Sequence, residues 1–113
     1  MEMSVEPLAP GAVRIILDGR LDIAGAGAID VQFNAIAASH KAVLVDLTRV
    51  SFLASMGIRT LLLAAKTVQR RGGTLVLLNP VEQVEQVLEV MGMTELMPIY
   101  RDKEAALAAA LTQ

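Results

Sequence analysis

Two short runs rich in β-branched residues and leucine, Ala42–Leu47 (AVLVDL) and Leu75–Leu78 (LVLL), constrain the fold more than any other feature of this chain. Near-continuous apolarity over so few residues suits strands covered on both faces, as in a parallel sheet. Between them a leucine-rich helical pattern runs from about Met56 to Arg71 and stops at Gly72-Gly73. Arg70 and Arg71 fall in its last turn, where positive charge suits the exposed carbonyls. Strand, helix and strand in that order imply a right-handed parallel crossover.

The alternation of elements continues on both sides. Val13, Ile15 and Leu17 occupy alternate positions and read as a strand over Ala12–Leu17, punctuated by Asp18-Gly19. Residues 24–38 suit a helix with Ile29, Phe33, Ile36 and Ala37 on one face, although Gly25 and Gly27 weaken its first turn. Asn79-Pro80-Val81-Glu82 has helix-start chemistry: Asn79 as cap, Pro80 at the first position, Glu82 reaching back. Val81, Val84, Val87, Leu88 and Met91 then share a face that Gly92 ends. Met97–Tyr100 reads as a last strand, and Asp102 as the cap of a final helix to Leu111. Met3, Val5 and Pro7 alternate and add an edge strand. The expected fold is α/β: a single domain over residues 1–113, with a mixed, largely parallel sheet of four to five strands and about four helices. Only 3% of residues are aromatic, so the core is aliphatic.

Several function classes are disfavoured. With no cysteine there is no disulfide or thiolate metal site. The start, MEMSVEPLAP, has no apolar signal core, and the apolar run Leu61–Ala65 is too short to span a bilayer, so a cytoplasmic location is expected. The single histidine, His40, sits in a polar break and reads as a turn residue rather than a catalyst. No nucleophile elbow, phosphate loop or dinucleotide fingerprint is present. Asp18, Asp22 and Asp46 read either as cap and turn residues or as a convergent metal set; the first reading is adopted, and no metal, cofactor or enzyme activity is expected.

Charge is more informative. No acidic residue lies between Leu47 and Val81, yet Arg49, Arg59, Lys66, Arg70 and Arg71 do, which is half of the chain's 10 Lys and Arg residues. Arg59, Lys66 and Arg70 share a helical face, while Glu82, Glu85 and Glu89 form an acidic stripe on the next helix. The two stripes either solvate and pair weakly with each other, or the basic helix docks on an acidic partner protein. Nucleic acid is disfavoured, since no aromatic residues interleave the cations. At the head of this helix Ser55 reads as an N-cap. Gly57 costs helix stability, which implies close approach to the backbone or crowding.

These residues resemble those of the STAS domains, in particular the bacterial anti-sigma factor antagonists. Gly19-Arg20-Leu21-Asp22 is similar to the family's Gly-Glu-Leu-Asp. Val45-Asp46-Leu47 through Phe52 is similar to its third strand and following loop. Ala54-Ser55-Met56-Gly57, the leucine-rich helix and Arg71-Gly72-Gly73 resemble its Asp-Ser-Ser-Gly switch, helix and glycine stop. The resemblance implies a binding module. Its partner would be an anti-sigma factor, often a serine kinase of the histidine-kinase-like ATPase fold, whose capture frees a sigma factor. Phosphorylation of the second switch serine would break that complex and a phosphatase would restore it. Here Met56 stands at the phosphoacceptor position and Ala54 at the acidic one, leaving Ser55 as the sole candidate acceptor. The expected docking region is Asp22, Ala54, Ser55, Met56, Gly57 and Arg59. The resemblance also allows two other roles: a subunit docked on the ATPase of an ABC-type lipid or solute transporter, and a ligand-sensing module.

Overall fold

In the computed structural model, which describes residues 1–111, the sheet is assembled strictly in sequence order. Strands β1 (Glu2–Ala9) and β2 (Ala12–Leu21) form an antiparallel hairpin around Pro10-Gly11. Strands β3 (Ala42–Leu53), β4 (Thr74–Leu78) and β5 (Ile99–Tyr100) follow, each parallel to the one before. The helices α1 (Ile23–Ala38), α2 (Ser55–Arg70), α3 (Glu82–Val90) and α4 (Lys103–Leu111) make the connections and the C-terminal cover. The expected α/β architecture, mixed sheet and four helices are all present; the last two positions of the expected domain lie outside the described residues.

Period-two alternation divides the strands between two cores. Val13, Ile15, Leu17, Val43, Val45, Leu47, Leu75 and Leu77 pack with Ile29 and Phe33 of α1, Leu61 and Val68 of α2, and Val84 and Leu88 of α3. The alternate residues Ala12, Leu44, Val76 and Leu78 pack with Ala106 and Ala110 of α4. The central strands are thus buried on both faces, which is why their sequences are nearly continuously apolar. Each fully buried Leu, Ile or Phe contributes roughly 1.5–3 kcal/mol of transfer free energy.

The α4 side also holds a charge network. The Arg14 guanidinium donates to Asp46 Oδ2 through Nε (3.0 Å) and a terminal nitrogen (2.5 Å), and to Glu6 Oε1 (3.0 Å). Thr48 donates to Asp46 Oδ1 from its backbone N–H (2.9 Å) and its hydroxyl (2.6 Å). Burial alone would raise the Asp46 carboxyl, but the Thr48 and Arg14 donors overcome it and hold the group below the ordinary range. Asp46 is therefore a structural anion, and with Asp18 paired to Arg49 and Asp22 capping α1, the three aspartates form no metal set. No group of metal-ligating side chains occurs among the described residues.

Several boundaries differ from expectation. Strand β2 does not stop at Asp18-Gly19. Gly19 takes φ +124°, a conformation L side chains rarely adopt, and the β2–β3 pairing shifts register there and resumes through Leu21. β3 accordingly runs on to Leu53, alone with β2 over its second half. Asn79 does not cap α3: it adopts φ +49°, and its N–H donates to Tyr100 O (2.7 Å), ending β4 instead. Val81 is the cap residue of α3, without a side-chain cap bond, and the helix buries Val84 and Leu88 while Val81 and Met91 face solvent. Asp102 does cap α4, accepting from Ala105 N (3.1 Å). The His40 ring is a turn feature, its Nδ1 donating to Ile36 O (2.8 Å). No helix among the described residues is long and apolar enough to cross a membrane.

Candidate functional site

The extended pairing of β2 and β3 carries the ends of both strands, and the helices that follow them, to one corner. Arg20 is paired with Phe52 and Leu21 with Leu53. The Leu21 carbonyl then accepts from Ala54 N (3.0 Å), which locks the entry to α2 against the entry to α1. Asp22, Ala54, Ser55, Met56 and Gly57 are brought together by this contact, with Arg59 one turn further along the exposed side of α2.

Asp22 caps α1. Its Oδ1 accepts from Gly25 N (2.8 Å) and its Oδ2 from Arg20 Nε (3.4 Å). The Gly25 N–H, more than the nearby Arg20, holds the Asp22 carboxyl below its usual range. The glycine that weakens α1 by propensity is needed because the Arg20 carbonyl oxygen fills the space a side chain would occupy.

The head of α2 is built differently. Its cap position is Ala54, which has no side-chain oxygen, so no cap bond forms; Ser55 is the first helical residue rather than the expected cap. The Ala54 backbone is held by Leu21, and that tie fixes where the helix starts. The carbonyl of Ala54 accepts from Ile58 N (3.0 Å), which leaves the N–H groups of Ser55, Met56 and Gly57 ahead of the helical ladder. No acidic residue lies in this first turn to offset the helix dipole.

Gly57 is explained within the chain. A Cβ there would lie 2.6 Å from Leu21 Cγ and 2.9 Å from Leu53 Cδ1, and closer still to the Leu21 carbonyl oxygen. Crowding from β2, not a ligand, demands the glycine. Met56 beside it is turned outward and is 40% exposed, although methionine is usually drawn into cores. Ser55 and Arg59 are also exposed.

The expected docking region lacked three members of this surface: Arg20, Phe52 and Ile23. The Arg20 guanidinium lies 4.2 Å from the centroid of the exposed Phe52 ring, a cation–π contact that holds both side chains over the corner. Ile23, at the start of α1, is 73% exposed. The signal for Phe52 was available in the alternation of Phe52 and Leu53, which places one out and the other in. The corner thus presents exposed apolar side chains, Met56, Phe52 and Ile23, beside Arg20 and Arg59, with the Asp22 carboxylate taken up by Gly25 and Arg20.

Comparison with known proteins bears on the fold. The family model described as STAS domain matches residues 7–106. A protein of Bordetella bronchiseptica named as a candidate anti-sigma factor antagonist, BtrV, is 31% identical over 103 residues, covering 90% of this chain and 89% of that one. Among solved structures, the anti-sigma factor antagonist SpoIIAA of Bacillus in its unphosphorylated form superposes with a TM-score of 0.78 at 24% identity, with 92% of each chain covered. A sulfate transporter family protein of Wolinella succinogenes reaches a TM-score of 0.77 at 18% identity, covering 93% of this chain and 88% of that one. At these identities the two structures share the fold alone with this chain.

Proposed function

The chain belongs to the STAS domain family, and from that premise we propose that it is an anti-sigma factor antagonist that docks through the head of α2, with Met56 as an apolar contact where the family has a phosphorylatable serine. The observation that carries this reading is the exposed methionine on an uncapped, acid-free helix start, framed by Arg20, Phe52 and Ile23. The 31% identical relative named as an antagonist supports it. The expected partner is the class implied by the resemblance, an anti-sigma factor with the histidine-kinase-like ATPase fold, whose capture frees a sigma factor. A thioether takes no phosphate. A phosphoserine would add about -1.5 to -2 charges and three acceptor oxygens at this place, whereas methionine adds an adaptable apolar contact. The complex at this corner is therefore not dissolved by the usual serine switch.

The test places a photo-cross-linking residue at position 56, with a control at exposed Val31 on α1, and identifies the protein captured in the producing cell. The reading expects an anti-sigma factor at position 56 and not at 31. Capture of a transporter ATPase there would instead establish the transport-subunit role. Incubation of the chain with that anti-sigma factor and ATP, read by intact mass, is expected to leave the mass unchanged. Stoichiometric phosphate on Ser55 would refute the lost switch.

A further inference from the structure

Met56, Arg59, Leu63, Lys66 and Arg70 recur every three or four residues, so they form one outward stripe along α2. Over 14 helical steps it extends about 21 Å. All five residues are exposed, Leu63 to 43%. The question raised by their charge is what neutralises it. The acidic stripe of α3 does not: among the described residues no ion pair joins Glu82, Glu85 or Glu89 to α2, and Glu85 is engaged by Arg101. Glu6 and Asp46 are taken by Arg14, Asp22 by Arg20, and Asp18 by Arg49. Among the described residues no ion pair includes Arg59, Lys66 or Arg70; Arg70 donates only to Thr67 Oγ1, at 3.5 Å. Lys66 and Arg70 even stand one turn apart as like charges, an arrangement that disfavours the isolated helix.

We propose that this stripe of α2 seats an acidic amphipathic helix of the partner protein, whose carboxylates pair with Arg59, Lys66 and Arg70 while its apolar side chains cover Met56 and Leu63. The inference rests on the docking reading above and adds the chemistry of the partner. The stripe begins at Met56 and so continues the proposed contact without a break. Its cations alternate with apolar residues at helical spacing, the pattern that a second helix laid along it matches. Charge complementarity selects an acidic occupant. An anionic membrane is the weaker candidate, because surface binding needs a broad apolar face and this stripe offers two partly covered side chains. Single-stranded nucleic acid lacks its stacking platform, since the stripe contains no aromatic residue.

The test uses the isotope-labelled whole chain and a defined probe: an 18-residue alanine-based peptide, side-chain stapled so that it is helical by circular dichroism in both salt concentrations used, with leucines at i, i+4, i+7 and i+11 and four glutamates beside them. NMR titration is expected to shift amides of residues 56–70, with binding at least about tenfold weaker in 0.5 M than in 0.05 M salt. The double variant K66E/R70E, or K66Q/R70Q should the reversal impair folding, is expected to abolish the response. Equal binding of a lysine-for-glutamate peptide, shifts confined to α1 or α3, or no shift with the acidic peptide would each overturn the proposal. Binding to phosphatidylserine vesicles in preference to the peptide would overturn it in favour of a membrane. The anti-sigma factor separates this inference from the reading beneath it. Unchanged affinity of K66E/R70E for that protein rejects the stripe and leaves docking at Met56 standing. A peptide response without any anti-sigma factor binding supports the stripe and rejects the antagonist function.

Discussion

Replacing Met56 by aspartate separates binding from folding, because the two respond with different magnitudes. In the free chain the side chain is already about three-fifths covered, given its 40% exposure. Full burial of a methionine contributes roughly 1.5–3 kcal/mol, so docking adds about 1 kcal/mol from the remaining surface. Met56→Ala removes that share and should weaken binding about fivefold. Met56→Asp removes it and also carries a charge into a contact that excludes water, at a cost of a further 2 kcal/mol or so even with partial relaxation. The combined loss, about 3 kcal/mol, is a factor of roughly 150 in Kd. Folding moves the other way when the two variants are compared. Position 56 lies in the first turn of α2, which lacks any acidic residue, so a carboxylate there gains about 0.3–1 kcal/mol from the helix dipole. Met56→Asp should therefore melt at or slightly above Met56→Ala. Calorimetric titration against the anti-sigma factor and thermal unfolding of both variants provide the assay. The reasoning is refuted if Met56→Asp binds like the wild type, or if it unfolds well below Met56→Ala, which would make Met56 a core residue.

Two further substitutions test the frame that positions this corner. Gly57→Ala should destabilise the chain by about 1–3 kcal/mol in urea unfolding, because the overlap with Leu21 outweighs the gain of about 1 kcal/mol in helix propensity. Gly27→Ala, whose Cβ meets nothing within 4 Å, should stabilise it by up to about 1 kcal/mol; equal effects of the two would show that the α2–β2 contact is loose. Asp46→Asn should cost roughly 1–3 kcal/mol near neutral pH, since it removes the buried one of the two carboxylates that hold Arg14 and leaves only the more exposed Glu6. The depressed Asp46 carboxyl binds its proton more readily in the unfolded chain. Its contribution is complete above the unfolded value near 3.8 and is lost as pH falls below it through the folded value. The variant should lack that part of the acid-unfolding slope, and an unchanged slope would contradict the pairing.

The unit β3–α2–β4 is legible in the sequence because burial on both faces of a strand and on one face of a helix leaves two distinct periods. What the sequence conceals depends on contacts between distant residues. Asp18-Gly19 reads locally as a stop, and the positive φ of Gly19 turns it into a bulge inside a longer strand. Ser55 is the better cap by chemistry, yet the Leu21 carbonyl takes the Ala54 N–H and moves the helix start by one residue. The need for glycine at position 57 is visible, while its cause, the packing of Leu21 and Leu53, is not. Asn79 has cap chemistry, but the strand β5 claims its N–H first. The basic stripe of α2 is plain in the sequence; that its charges stay unpaired emerges from the ion pairs of the described residues, which include Arg101, Arg14, Arg20 and Arg49 but not Arg59, Lys66 or Arg70.

The most direct measurement is amide hydrogen exchange of the chain alone and in its complex with the anti-sigma factor. The N–H groups of Ser55, Met56 and Gly57 precede the α2 ladder, so in the free chain they should exchange faster than those of Leu61–Val68. Strong slowing at residues 55–59, together with 20–23, is the predicted result of a partner seated on this corner. Protection confined to other elements, with 55–59 exchanging at the free rate in a fully formed complex, would contradict it.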